Sequence, residues 1–165
     1  IRVGMCDKLC FFCKMDSKEF IIDNEYFYAI LDEYPVSPGH VLIIPKQHIS
    51  RLNDLPVRYG EAMLKIIDEV YTRISGHTLK DFYINRLRNS KDPMQKEFCS
   101  LALQSIGEET TGLADFNMGI NNGIYAGQTV NHLHIHLIPR YVNDGGVGVG
   151  GVRHVFPERG NYRHE

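Results

Sequence analysis

Apolar and polar residues follow patterns that predict strands in the first third of the chain. Residues 20–30 contain two apolar runs on either side of Asp23-Asn24-Glu25, which predicts a hairpin of two short strands. The run Val41-Leu42-Ile43-Ile44 follows Pro38-Gly39 and stops at Pro45. Breakers on both sides of a short apolar run are typical of a buried strand.

Two helices are predicted in the middle of the chain. Asn53 or Asp54 can cap the first helix, and Pro56 fits its first turn. Apolar residues then recur at steps of three and four, and this spacing predicts a helix face that packs into the core. The residues are Leu55, Tyr59, Met63, Ile66, Ile67, Val70 and Ile74. Asp92-Pro93 opens the second helix, with one face formed by Phe98, Leu101, Ala102, Ser105 and Ile106. The pattern over residues 77–91 is weaker, and we treat that stretch as a linker.

Strands return in the last third of the chain. Residues 116–120 and 128–140 are predicted strands on either side of the loop 121–127. The tail, residues 143–165, is rich in glycine, whose large loss of backbone entropy on ordering opposes regular structure. Strands, then helices, then strands predict an α+β fold with an antiparallel sheet.

Composition places the chain among ordinary soluble globular proteins. It has 165 residues, 43% of them apolar and 23% charged, with a net charge of −2. A nearly neutral chain has no global electrostatic reason to bind a nucleic-acid polymer or an anionic membrane. The sequence shows neither a membrane-spanning window nor a secretory signal. We therefore expect one domain over residues 1–165, located in the cytoplasm.

A row of histidines in the last predicted strand carries the strongest candidate chemistry. Alternate residues of a strand share a face, so one face holds histidines and the other aliphatic residues. The histidines are His132, His134 and His136, and the aliphatic residues are Leu133, Ile135 and Leu137. Such a row is a solvated face, a set of metal ligands, or a nucleophile and acid–base set acting on phosphate. Gly127-Gln128-Thr129 just upstream supplies donors for phosphate oxygens, which favours phosphate chemistry.

The segment HLHIHLI, residues 132–138, resembles the signature of the histidine triad (HIT) family of nucleotide hydrolases and transferases, H-x-H-x-H followed by two apolar residues. The resemblance extends upstream through Asn121, Gly123 and residues 126–130. It also reaches a second block, residues 38–48, PGHVLIIPKQH. It implies an α+β fold in which an antiparallel sheet of about five strands is backed by helices, and it implies a homodimer.

The resemblance also implies roles for the residues of the triad region. His134 matches the nucleophile that attacks the α-phosphorus and forms a nucleotidyl-histidine, which water then cleaves. His136 matches a residue that contacts the phosphate and helps with proton handling. Asn121, Gln128 and Thr129 match positions that hold phosphate oxygens or position the nucleophile.

Further residues match the nucleoside side of the family's site. Asp32 sits where the family places an acidic or amide group on the ribose hydroxyls. His40 matches a position near the triad, with a structural histidine as the alternative. Phe11, Phe12 and Leu31 fall near positions that form the wall around the base, and their alternative is plain core.

The spacing Cys10-Phe11-Phe12-Cys13 suits either half of a zinc site or a redox dithiol, and two free buried thiols are a third interpretation. Some members of the histidine triad family complete such a pair with two histidines. The matching positions here are His48 and His132, so the resemblance implies a structural zinc and no organic cofactor.

The chain departs from compact members of the family by an insertion over residues 76–111. It is either a solvated element or a cap over the distal part of a substrate. The function implied is hydrolysis of the bond between a purine nucleotide α-phosphate and its leaving group, in a dinucleoside polyphosphate or a nucleoside phosphoramidate. The alternatives are a nucleotide- or partner-binding module with little turnover, and a metal-binding or redox protein that uses the cysteine pair.

Overall fold

A computed structural model describes residues 9–74, 76–107, 115–141, 144 and 151–160 of the chain. Five strands form one antiparallel sheet, namely β1 (Ile22–Asp23), β2 (Phe27–Leu31), β3 (Val41–Pro45), β4 (Asp115–Gly119) and β5 (Ile135–Arg140). The helices are α1 (Gly60–Arg73), α2 (Gly76–Asn89), α3 (Pro93–Gln104) and the single turn α4 (Pro157–Gly160). The spatial order of the strands is β1-β2-β3-β5-β4. This architecture confirms the predicted α+β class.

The predicted hairpin is present as β1 and β2. Ile22 lies opposite Ala29 in the ladder, and the turn is held by Asn24. The Asn24 Oδ1 accepts hydrogen bonds from the backbone N–H groups of Tyr26 at 3.0 Å and Phe27 at 2.9 Å. An amide side chain that bonds its own turn in this way starts the second strand at a defined residue.

The central strands are buried on both faces, and each face has its own cluster of side chains. In β2, Ala29 and Leu31 belong to the larger core beneath the helices, whereas Tyr28 and Ile30 belong to a second cluster with Phe12. The alternation follows from the two-residue period of a strand. The histidine row lies on the face of the second cluster, next to Phe12.

Helix α1 lies against β1 and β2 and buries the predicted apolar stripe. Its start differs from the prediction. Leu52–Asp54 and Val57–Tyr59 form separate 3₁₀ turns, and α1 begins only at Gly60, without a side-chain cap. Asn53 does not cap the helix because its Oδ1 accepts a hydrogen bond from Asn122 Nδ2 at 3.0 Å.

The stretch that we treated as a linker is a regular helix, α2, so that prediction is wrong. The helix buries Leu79 and Tyr83, which lie four residues apart and join the main core. Phe82 and Leu87 of the same helix are partly buried against this core. Charged and amide residues between these apolar positions weaken the helical signal in sequence. Tertiary contacts rather than a strong periodicity hold α2 in place.

The second predicted helix is α3, and its start is confirmed. Asp92 caps the helix by accepting a hydrogen bond from Met94 N at 2.9 Å, and Pro93 occupies the first turn. The buried face differs from the prediction. It consists of Gln95, Cys99 and Ala102, whereas Leu101 is 56% exposed.

Strand β5 begins at Ile135, later than the predicted start at residue 128. The preceding segment follows a different backbone path, with Leu133 N donating to Ile49 O at 2.6 Å and His132 N donating to Val130 O at 2.8 Å. The alternation of faces still holds through this segment. Leu133, Ile135 and Leu137 are all buried in the main core. No helix of the described residues is long and apolar enough to span a membrane.

We predict opposite effects on stability for two glycine substitutions. Gly39 has φ +79°, and an added Cβ would lie 3.4 Å from side-chain atoms of Leu79 and Pro139. Gly39→Ala should therefore lower the free energy of unfolding by about 1–3 kcal/mol. Gly60 begins α1 at φ −58° with open space around it, so Gly60→Ala should raise stability by up to about 1 kcal/mol.

Urea unfolding of both variants beside the wild type measures these changes. Equal effects of the two substitutions would contradict the conformation that the structure gives to Gly39.

Candidate active site and metal centre

Two cysteines and two histidines from distant parts of the chain form one cluster. The ligand atoms of Cys10, Cys13, His48 and His132 all lie within 4.8 Å of one another. The 3₁₀ turn Phe12–Lys14 brings the two thiols together, and residues after β3 and before β5 supply the histidines. The structure thus brings together all four residues of the predicted metal site.

The distances within this cluster fit a tetrahedral zinc. Zn–S bonds of about 2.3 Å and Zn–N bonds of about 2.0–2.1 Å place a sulfur and a nitrogen about 3.5 Å apart at the tetrahedral angle. Cys10 Sγ lies 3.4 Å from His132 Nδ1, and Cys13 Sγ lies 3.3 Å from His48 Nδ1. Cys13 Sγ is also 3.7 Å from His132 Nδ1. The donor set therefore matches zinc in size as well as in chemistry.

His132 is held in the orientation and protonation state that a metal ligand needs. Its Nε2 lies 2.9 Å from the carbonyl oxygen of Pro45, so Nε2 carries the hydrogen and donates it. Nδ1 then presents its lone pair to the thiols. Burial lowers the pKa of His132 to about 4, so the ring is neutral at neutral pH.

The next residue of the row, His134, is oriented by the backbone of the first. Its Nδ1 lies 2.8 Å from the carbonyl oxygen of His132 and donates a hydrogen bond to it. This bond fixes the tautomer and leaves the lone pair on Nε2. Phe12 packs beside the ring, with centroids 5.4 Å apart.

His40, which is buried, and His136, which is partly buried, form a pair that reaches a carboxylate. His136 Nδ1 lies 3.0 Å from His40 Nε2, and His40 Nδ1 lies 3.5 Å from Asp32 Oδ2. Pairing of β3 with β5 produces this proximity, because Val41 lies opposite Leu137 and Leu42 opposite His136. The result is a chain of three titratable groups that ends at the His136 ring.

Burial dominates the protonation of this pair. It lowers the pKa of His40 to about 4, with a further lowering by His136 and an opposing effect of the Asp32 carboxylate. Burial also lowers the pKa of His136, and the neighbouring His134 adds to the shift. Both rings are consequently neutral at neutral pH, and each can accept or donate one proton.

A cavity of about 490 Å³ opens beside His134 and His136. Its walls are mostly apolar and aromatic, with two carboxylates, two hydroxyls and three imidazoles among them. The lining residues are Phe11, Phe12, Ile30, Asp32, Glu33, Tyr34, Val36, His40, Leu42, Phe98, Thr129, Val130, His134 and His136. A mostly apolar cleft with a few convergent polar groups is the usual form of a small-molecule site.

A second cavity, of about 630 Å³, lies on the other side of the His40–His136 pair. It shares Val36, His40 and His136 with the first cavity. Its remaining walls come from β4, β5 and the tail, namely Asn117, Met118, Gly119, Ile120, Asn121, Ile138, Gly151, Val152, His154 and Val155. The histidine pair therefore stands between two spaces.

Two predicted site residues lie elsewhere than expected. Leu31 packs into the main core on the far face of β2, so Ile30 lines the first cavity in its place. The Gln128 side chain organises its own loop. Its Nε2 donates to Ser50 O at 2.8 Å and Val130 O at 3.0 Å, and its Oε1 accepts from Gly123 N. Both amide hydrogens are thus bonded to backbone rather than directed at a ligand.

The other predicted residues divide between the two cavities. Phe11, Phe12, Asp32 and Thr129 line the first cavity, and Asn121 lines the second. Sequence reasoning missed Tyr34 and Phe98 of the first cavity and the tail residues of the second. The sequence predicts Phe98 on the apolar face of α3, but it does not show that this ring borders the cavity. In the structure Phe98 is only partly buried.

Comparison with known proteins assigns the family. The family model of the HIT domain matches residues 14–143. The chain belongs to the HIT family. The curated adenosine 5′-monophosphoramidase of Saccharomyces cerevisiae is 31% identical over 148 residues, 87% of this chain and 70% of that protein. The asymmetrical bis(5′-nucleosyl)-tetraphosphatase of Schizosaccharomyces pombe is 29% identical over 128 residues, 74% of this chain and 52% of that protein.

A solved HIT structure supports the same assignment. The crystal structure of a Zn-bound histidine triad family protein from Mycobacterium smegmatis superposes with a TM-score of 0.50 and 28% sequence identity. The match covers 82% of this chain and 78% of that chain. The predicted family and HIT-like fold are both confirmed by these comparisons.

The low pKa of His40 predicts how the stability of this HIT protein depends on pH. Because the folded chain holds His40 at a pKa of about 4, the unfolded chain binds more protons between about pH 4 and the ordinary histidine pKa of 6.5. The His40 contribution to stability is therefore present above pH 6.5 and falls by roughly 2–3 kcal/mol as the pH drops to about 4.

Urea unfolding of the wild type and His40→Gln between pH 4 and 8 tests this prediction. The variant should show a weaker fall in stability at acidic pH. His154→Gln is the matched control, since it removes an exposed histidine. A wild-type profile and a His40→Gln profile of equal slope would contradict the prediction.

Proposed function

We propose that this chain hydrolyses nucleoside 5′-phosphate derivatives through a covalent nucleotidyl-histidine on His134. The observation that carries the proposal is the orientation of the His134 ring in the wall of the first cavity. Its Nδ1 donates to the carbonyl oxygen of His132 at 2.8 Å, so Nε2 keeps its lone pair. A neutral imidazole with a free nitrogen at a cavity acts as a nucleophile at neutral pH. The relatives named as phosphoramidase and tetraphosphatase support hydrolysis of nucleotides.

The reaction consists of two displacements at the α-phosphorus. His134 Nε2 attacks, the N–P bond forms, and the leaving group departs with the bonding electron pair and takes up a proton. Water then attacks the same phosphorus, the N–P bond breaks, and the electron pair returns to Nε2 while the proton of the water passes to a base or to solvent. Both steps use one set of phosphate contacts.

His136 is the residue that we assign to the phosphate oxygens and to proton transfer. Its Nε2 is buried and has no hydrogen-bond partner within the described part of the chain. Its Nδ1 contacts His40, which lies beside Asp32. The His136 ring can therefore exchange a proton with His40 through Nδ1. Its other nitrogen, Nε2, is left to contact a ligand.

The nucleoside occupies the first cavity in this proposal. The aromatic walls suit a purine base, because large planar rings gain most from such contacts. Asp32 lies at the wall and accepts hydrogen bonds, as a ligand of two ribose hydroxyls must. The Thr129 hydroxyl lines the same space and is a donor for a phosphate oxygen.

The second cavity receives the leaving group, and its chemistry favours one class of substrate. None of the described residues that line it is a lysine, an arginine or a carboxylate. A polyphosphate leaving group carries several negative charges and would need cations near it. An amine or another weakly charged organic group fits the mixed apolar and amide walls better, so a nucleoside phosphoramidate is the favoured substrate.

We predict that His134→Ala abolishes both the covalent adduct and turnover. Brief mixing of the protein with an adenosine phosphoramidate, followed by denaturation at alkaline pH and intact-protein mass spectrometry without acid, should show an adenylylated wild type, because the histidine N–P bond is labile in acid. The variant should show no adduct and at least about a thousand-fold lower rate, because the nucleophile is absent. Diadenosine tetraphosphate at the same concentration should react more slowly than the phosphoramidate.

Lys65→Ala is the control variant and should form the adduct and turn over like the wild type. Lys65 lies on the exposed face of α1 in an ion pair with Glu61. Nucleotide binding without adduct or product would favour a binding module instead. Activity that survives His134→Ala but is lost on removal of Cys10 and Cys13 would favour redox or metal chemistry at the cysteines.

We also propose that the cluster of Cys10, Cys13, His48 and His132 holds a structural zinc. The observed S···N separations, the neutral His132 and its bond to Pro45 support this metal. Four protein ligands close the coordination sphere, so the metal contributes to folding and not to the reaction. It would hold the N-terminal turn with Phe11 and Phe12 against the sheet.

Removal of zinc should lower the melting temperature by about 10 °C, as expected when a ligand that contributes about 4 kcal/mol is lost from a domain of this size. Native mass spectrometry should find one zinc per chain in the wild type. Cys13→Ser should lose the metal, whereas Cys99→Ser should keep it, because Cys99 is buried in the main core away from the cluster. A zinc-free wild type that melts at the same temperature with and without chelator would refute the site.

The homodimer implied by the resemblance and the cytoplasmic location expected from the sequence stay predictions. Strand β4 is the last strand at one side of the sheet and exposes Phe116 and Met118. Exposed apolar residues on an outer strand support pairing with a second copy. We therefore propose β4 as the dimer edge.

A further inference from the structure

The helices α2 and α3, residues 76–104, form a hairpin that we call the inserted hairpin. It contacts the segment that contains Asp32 and His40. Tyr83, fully buried on α2, accepts a hydrogen bond from Gly39 N at 2.8 Å. This bond holds the backbone immediately before His40. The insertion is therefore part of the support of the catalytic region and not an appendage on a solvated face.

Three further contacts join the hairpin to the residues after β2. Arg86 of α2 pairs with Glu33, at 3.2 Å between Nη1 and Oε1. Cys99 Sγ of α3 lies 3.8 Å from the Glu33 carbonyl oxygen. Tyr34 donates a hydrogen bond from its hydroxyl to Asp92 Oδ2 at 2.5 Å, and Asp92 is the cap of α3. The start of α3 and the rim of the first cavity are thus fixed to each other.

Phe98 of α3 reaches the first cavity itself. The Phe98 ring meets the Tyr34 ring edge to face, with centroids 6.1 Å apart and planes at 82°. Both residues line the cavity, together with Phe11 and Phe12 from the N-terminal turn. Helix α3 packs against the core through Cys99 and Ala102, so Phe98 is directed to the cavity rather than to the core.

We propose that the inserted hairpin supplies a wall of the base-binding site, with Phe98, supported by Tyr34, as a specificity-determining residue for the purine. The ligand class is the purine base of a nucleoside 5′-phosphate. This inference rests on the proposed function for the identity of the ligand. It assigns the choice of base to a segment that lies far from the histidine row in sequence.

Binding of AMP, UMP and ribose 5-phosphate by isothermal titration calorimetry tests the proposal. Phe98→Ala should weaken AMP binding about 10-fold, because alanine in place of an aromatic residue removes its contact with a base. The loss for UMP should be smaller, since a pyrimidine has less ring surface. Ribose 5-phosphate lacks a base, and its affinity should stay within two-fold of the wild type.

Phe98→Leu keeps an apolar side chain of similar size and removes the aromatic face, so it serves if the alanine variant folds poorly. It should weaken AMP binding several-fold. Leu101→Ala is the matched control on the same helix, because Leu101 is exposed and does not line the cavity. With an adenosine phosphoramidate, Phe98→Leu should raise KM and leave kcat nearly unchanged, as loss of uniform binding does.

Two results would overturn the inference while the proposed function stands. One is AMP affinity of the Phe98 variants equal to that of Leu101→Ala. The other is an equal loss of affinity for AMP and ribose 5-phosphate, which would mark a general disturbance of the site. A wild type that binds neither ligand would overturn the proposed function together with this inference.

Discussion

The packing of one face of residues 133–137 into the core determines the direction in which the neighbouring histidine row points. Leu133, Ile135 and Leu137 are buried at 1% exposure each beneath the sheet. Because side chains alternate along a strand, their burial turns the intervening histidines to the opposite face. A slip of one residue would exchange the two sets, at the cost of three buried aliphatic side chains. The core thereby enforces the register of the site.

His132 belongs to two parts of the molecule at once. Its ring faces the cysteine thiols through Nδ1, and its carbonyl oxygen holds Nδ1 of His134. The cluster of thiols and the His134 ring are therefore joined by a single residue. The backbone carbonyl of His132 orients the His134 ring. The His132 backbone is in turn constrained by the hydrogen bond between the His132 ring and the carbonyl oxygen of Pro45.

The parts of the fold with a strong local signal could be predicted from sequence. The hairpin at Asn24, the buried strand β3 and the start of α3 at Asp92 each have a turn or cap residue of the required type. Helix α2 was not predicted, because charged and amide residues interrupt the apolar positions Leu79, Phe82, Tyr83 and Leu87 that pack against the core. Its stability comes from contacts that sequence periodicity does not show.

Sequence resemblance named most of the candidate residues that the structure brings to the cluster and the cavities, but side-chain geometry directs some of them elsewhere. Gln128 has a type suited to phosphate, yet its amide is bonded to the backbone of its own loop. Leu31 and Ile30 are adjacent and similar, and only the register of β2 decides which one reaches the cavity. Phe98 lies on α3, outside the motifs that carry the resemblance, so only the structure places it at the cavity.

Nε2 of His136 has no hydrogen-bond partner among the residues that the structure describes, and this has a thermodynamic consequence for the molecule. A buried polar atom without a partner costs a folded protein about 1–3 kcal/mol. The ligand-free protein is destabilised by this amount. A ligand that forms a hydrogen bond with Nε2 removes the destabilisation, so the same free energy adds to the affinity for that ligand. The stability of the ligand-free fold and the affinity for a ligand at this position therefore change in opposite directions at this one nitrogen.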